Sequence, residues 1–116
     1  MEKNFREYLT ETKKNSDVIK DFVAGKTSGS SLHLYIEKRS SGRVLINYRT
    51  ILVYKPNDED MFFMNSTKYS VTTSKIQGYI RGALSDTNYK QMPEEELRDV
   101  MDEKEEGEEE KESEGT

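Results

Sequence analysis

Apolar and polar residues recur along this chain with two different periods, and each change of period marks an element boundary. Over residues 2–23, Phe5, Tyr8, Leu9 and Thr12, then Ser16, Ile19, Phe22 and Val23, recur at three- and four-residue spacings. Lys13, Lys14, Asp17 and Lys20 fall on the other side, which predicts an amphipathic helix. Gly25 is placed to end it, and Thr27–Ser31 reads as a flexible linker.

The period then drops to two. Leu32, Leu34 and Ile36 share one face of a strand, and Arg39-Ser40-Ser41-Gly42 reads as a hairpin connection with Gly42 able to take positive φ. The run Arg43–Lys55 carries apolar residues at both even and odd positions, so it reads as a central strand or a bent one. Pro56–Asp60 is a turn, and Met61–Met64 returns as a third strand.

Ile76, Tyr79, Ile80, Ala83 and Leu84 then form a helical stripe, with Thr72, Thr73 or Ser74 available to cap its start. Gly78 and Gly82, four apart in this helix, each cost it about 1 kcal/mol relative to Ala and call for an explanation, either close approach of a partner backbone or simple tolerance near the end of a short helix. The order predicts an α+β fold of αβββα type, a three-stranded antiparallel meander with two helices on one face. The expected boundaries are a domain at 1–84, a linker at 85–92 and a mostly disordered acidic tail at 93–116, with room for a short helix near 94–104. Leu97, Val100 and Met101 supply an apolar stripe for that helix.

Composition sharpens the tail. The 116 residues are 32% apolar and 35% charged, with a mean hydropathy of -0.97. The net charge of -5 hides a split: residues 1–92 carry 15 Lys/Arg against 10 Asp/Glu, and residues 93–116 carry 3 against 13. A segment this acidic and poor in apolar residues does not offset the entropy of ordering by itself. Between Lys26 and Gly82 there are nine cations and four acids, and three of those acids are the adjacent Asp58, Glu59 and Asp60. The body is therefore expected to present a basic surface.

Candidate chemistry is sparse. The absence of cysteine excludes disulfides, thiolate catalysis and cysteine-ligated zinc. No apolar run approaches ~20 residues, and MEKNFREYLTETKK lacks a signal-peptide core, so a cytoplasmic protein without membrane contact is expected. His33 has no local carboxylate other than Glu37 and reads as a sheet-face residue, not a general base. No nucleophile-elbow, phosphate-loop or zinc-helix motif occurs, and Asp58-Glu59-Asp60 lacks the alternating spacing of a calcium loop. Neither catalysis nor a metal or cofactor is expected.

Binding is better represented. The stretch Asn65–Gln77 is rich in Asn, Ser and Thr, contains Lys68 and Lys75, and leads into a helix N-terminus. Thr72, Thr73, Ser74 and Lys75 there suit either a phosphate or carboxylate, or simple capping of the helix. On the expected open sheet face, Tyr35, Tyr48 and Tyr54 suit base stacking, while Lys38, Arg39, Arg43, Arg49 and Lys55 suit phosphates.

The segments Leu45–Thr50, Phe63–Asn65 and Lys68–Gln77 also carry a resemblance. An INY-T strand followed by a YS-x-TTSKIQ strand-to-helix turn resembles a family of short proteins from bacteriophages of Firmicutes and their prophages. The likeness covers roughly residues 43–84 and implies setting and fold more than an activity. It implies a phage-encoded accessory protein in the bacterial cytoplasm that binds a host or phage macromolecule, a protein first, and modulates or inhibits it. Two alternatives stay open: a nucleic-acid-binding module autoinhibited by its acidic tail, and a sequesterer of a small anion such as a nucleotide.

Overall fold

The computed structural model describes residues 13–114, with side chains through residue 106. Nine elements follow in order: α1 (Asn15–Val23), β1 (Gly29–Ser30), β2 (Leu34–Arg39), β3 (Gly42–Asn47), β4 (Thr50–Pro56), β5 (Phe62–Asn65), α2 (Val71–Leu84), β6 (Tyr89–Met92) and α3 (Glu94–Glu114). The fold is α+β. Six strands lie in one sheet in chain order, antiparallel from β1 to β5, and β6 pairs parallel to β5 after α2 has crossed over.

Among the described residues the expected helix over 2–23 is confined to Asn15–Val23. Lys13 bridges to Ser31 and Lys14 has extended backbone, so the helix begins at Asn15, where Asp17 accepts from the Lys14 amide at 3.3 Å. The expected positions Phe5, Tyr8, Leu9 and Thr12 lie outside the described residues. Gly25 does end the helix: at φ +104° it donates to the Phe22 carbonyl while Lys26 donates to that of Asp21. The expected linker at 27–31 contains β1, a two-residue edge strand on β2.

The run Arg43–Lys55 is two strands. It reverses at Tyr48-Arg49, with Asn47 opposite Thr50. A bulge lies beside it, since Leu45 faces Val53 but Ile46 faces Ile51. The extra residue lets both Leu52 and Val53 join one core, which explains apolar residues at both parities. Gly42 does not have positive φ. It is glycine because a Cβ there would fall on the Lys55 carbonyl oxygen and within 2.8 Å of Pro56 Cα.

Both sheet faces are covered. On one, Val18, Ile19 and Phe22 of α1 and Ile76, Ile80 and Leu84 of α2 pack on Leu34, Ile36, Leu45, Val53, Phe62 and Met64. Tyr79, expected in that stripe, points outward. On the other, Leu97 and Met101 of α3 are buried on Val44, Ile46, Tyr54 and Phe63.

This corrects the expected three-stranded, two-helix layout. The span 85–92, read as a linker, holds β6, and the segment read as a mostly disordered tail is helical to Glu114. Its charge did not prevent folding because its one apolar stripe meets an apolar sheet face. Ion pairs from Lys104 to Asp58 (3.1 Å) and Glu59 (3.4 Å), and from Arg39 to Glu105 (3.8 Å), flank the contact.

Candidate functional site

The polar stretch before α2 spends much of its hydrogen-bonding capacity inside the protein. Ser70, not Thr72, Thr73 or Ser74, caps the helix, its Oγ accepting from the Thr73 amide at 3.3 Å. The buried Thr73 hydroxyl donates to Asn47 Oδ1 at 3.3 Å. Buried Gln77 donates to the carbonyls of Asn65 (2.9 Å) and Thr67 (3.0 Å). Asn65 donates to the Ile51 carbonyl (3.0 Å) and to Tyr69 Oη (2.9 Å), and accepts from the Thr67 amide (2.9 Å).

Tyr69 passes the network to α3, donating to Glu94 Oε2 at 3.1 Å. Burial raises the Tyr69 phenol above its usual range against the Asn65 hydrogen bond, with Glu94 reinforcing the rise, so it stays protonated and able to donate. Among the described residues no buried side-chain nitrogen or oxygen lacks a partner. Asn47, Asn65, Tyr69, Ser70, Thr73 and Gln77 of the Leu45–Thr50, Phe63–Asn65 and Lys68–Gln77 segments therefore build architecture, while Lys68, Thr72, Ser74 and Lys75 remain exposed.

The expected cations do not converge. Arg43 donates to the Phe22 carbonyl at the end of α1 from Nε (3.1 Å) and Nη2 (2.9 Å), and lies 5.0 Å from the Phe22 ring centroid and 5.7 Å from that of Phe62. Burial pulls its guanidinium below the usual arginine range, and the carbonyl and ring faces compensate the charge. Lys55 is tied to the carbonyls of Pro56 and Glu59, and Arg39 to Glu37 at 2.9 Å. Lys38, opposite Arg43, is exposed near the Ser40-Ser41 connection, at the other end of β3 from Arg49. Tyr54, expected to stack bases, is fully buried under α3.

What does converge lies at the Tyr48-Arg49 end of the sheet. Tyr48 is the one non-glycine residue with positive φ among the described residues, at +55°, and it is 64% exposed. Its Oη is 2.8 Å from His33 Nδ1, and the two rings meet edge-on at 5.9 Å and 68°. Tyr35 Oη donates to the Tyr48 carbonyl at 3.3 Å, and Asn47 donates to the His33 carbonyl at 2.8 Å.

Leu32, next to His33, is 78% exposed, and Val71, in the first turn of the helix that Thr73 ties to Asn47, is 75% exposed. Of the expected site residues this end gathers Tyr35 and Arg49; Thr72 follows Val71 in the same helical turn. Leu32 and Val71 were missed, Tyr48 was read as a base-stacking ring on an open sheet face, and His33 was read only as a sheet-face residue. The sequence offered no signal for this turn, since no Gly, Pro or Asp marks the reversal.

The residues grouped here bring two tyrosine rings, the His33 imidazole, two aliphatic side chains and the Arg49 guanidinium, with no carboxylate among them. Tyr and Arg in such a set bring large contact area and directional donors at small entropic cost. Among the described residues no group of three His, Asp or Glu is placed to hold a metal ion, and no helix is long and apolar enough to cross a membrane. No protein-family model matches the chain, and neither a curated protein nor a solved structure matches it.

Proposed function

We propose that this chain is a non-enzymatic binding protein that grips a partner protein through the Leu32–His33–Tyr35–Tyr48–Arg49–Val71 surface. With the likeness of its Leu45–Gln77 segments to phage proteins, the reading is a phage-type accessory protein that binds a host or phage protein and modulates it. The observation that carries it is Tyr48. A bulky residue in the left-handed region costs about 1–2 kcal/mol that glycine would not pay. The ring it displays is exposed and adds nothing to either core, so recognition is the role that accounts for the strain.

A protein is favoured over nucleic acid because the sheet face that would stack bases lies beneath α3 and the cations meant for phosphates are dispersed or internally bonded. A small-anion site at Thr72–Lys75 is disfavoured because Thr73 and the Ser70 cap are engaged within the fold. Affinity capture from phage-infected bacteria with mass spectrometry tests the reading. One defined protein should co-purify and be lost with Tyr48→Gly and with Arg49→Ala at unchanged melting temperature. Equal recovery by both variants, or steeply salt-dependent binding to a single-stranded oligonucleotide with no protein captured, overturns it.

A further inference from the structure

Helices α1 and α2 leave an open groove of about 790 Å3 between them, whose lining among the described residues does not include Tyr48 or His33. Its floor includes Gly78 and Gly82, one turn apart on α2, with Ile19 of α1 beside them. Neither glycine has positive φ, and a Cβ on either would meet no atom within 4 Å. Backbone conformation and internal packing therefore both accept alanine here, and each glycine weakens the helix. What the pair provides faces outward: a strip without side chains, on which another backbone can come close.

The walls say what kind of backbone. Tyr79, 65% exposed, rises between the glycines as an apolar flank. Lys20 from α1 and Lys75 from α2 supply the charges, and among the described residues no carboxylate lines the groove. From Lys75 to Gly82 the strip runs about 10 Å, two helical turns, between two helices that already form a layer. A third helix extends that layer without leaving backbone groups unpaired.

We infer that the groove docks an amphipathic helix of a partner protein. Its small and apolar stripe lies on Gly78 and Gly82, and its Glu or Asp side chains meet Lys20 and Lys75. This docking site does not rest on the role proposed for the Tyr48 surface.

Fluorescence anisotropy with two synthetic 18-residue helical peptides tests it. Both carry one Ala/Leu stripe, flanked by Glu in the first and by Lys in the second. The chain should bind the Glu peptide at least tenfold more tightly than the Lys peptide, and the Lys20→Glu/Lys75→Glu variant should reverse that order. Gly78→Ala/Gly82→Ala should lose at least tenfold in affinity while its melting temperature stays level or rises, so misfolding is not the cause. Tyr48→Gly should bind the Glu peptide as the unmodified chain does.

Equal affinity for both peptides, undiminished binding by the alanine pair, or no binding of the Glu peptide overturns the inference. So does concentration-dependent self-association that the alanine pair abolishes, because the groove then belongs to a second copy. Competition by a peptide of residues 1–12 stronger than the Glu peptide overturns it in favour of the chain's own segment.

Discussion

Tyr48 Oη lies 2.8 Å from His33 Nδ1, across a hairpin whose reversal depends on Tyr48 at φ +55°. The side-chain bond and the backbone strain oppose each other. Tyr48→Gly relieves the strain and gives up the bond, so its stability in urea should stay within about 1 kcal/mol of the unmodified chain. A loss of 3 kcal/mol or more would make Tyr48 a structural residue and remove the basis of the proposed function.

Leu97 tests whether α3 belongs to the fold. It is 1% exposed against Val44, Ile46, Tyr54 and Phe63. Leu97→Ala should cost about 3 kcal/mol in urea unfolding, whereas Glu95→Ala, on the exposed side, should change it by less than about 0.5 kcal/mol. A neutral Leu97→Ala would return the segment to the solvated tail that its composition suggests.

Gln77 should be among the least replaceable polar residues. Gln77→Leu keeps the volume but leaves the Asn65 and Thr67 carbonyls without their donor. The expected loss is about 3 kcal/mol, read by denaturant unfolding. Ser74→Ala, exposed on the same helix, should be silent.

Asp21 gives the pH dependence. A hydrogen bond from the Lys13 ammonium at 2.8 Å, with Lys26 at 3.5 Å, holds its carboxyl below the usual 3.8 despite partial burial. Because the folded value lies below the unfolded one, the stabilisation is fully present above the unfolded value and is lost as pH falls through the folded one. The melting-temperature gap between the unmodified chain and Asp21→Asn should be constant above about pH 5 and close in stronger acid. A gap that widens on acidification would contradict the ion pair.

The α+β class, β2, the Ser40-Ser41 hairpin and most of the α2 stripe were legible because each is written in local periodicity. The Tyr48 turn was not, since nothing in Asn47-Tyr48-Arg49-Thr50 advertises a reversal. The α3 stripe at Leu97, Val100 and Met101 was visible, but its energy resides in the face it meets. The clue to that face was the doubly apolar run Arg43–Lys55, which reads equally as one central strand. At the site, Tyr35 and Arg49 were singled out for their chemistry. Arg43 and Thr73 were singled out for the same reason, and burial turned them into internal struts.

The parallel β5–β6 pair sets an order of assembly. The antiparallel pairs from β1 to β5 join segments adjacent in the chain, whereas β6 reaches β5 only across the whole of α2. Loop closure makes such a pair slow, so the meander condenses first and the parallel edge later. Leu97 and Met101 follow that edge, which makes the second core the last layer a newly made chain completes, and until then Val44, Ile46 and Phe63 are the surface that chaperones would meet.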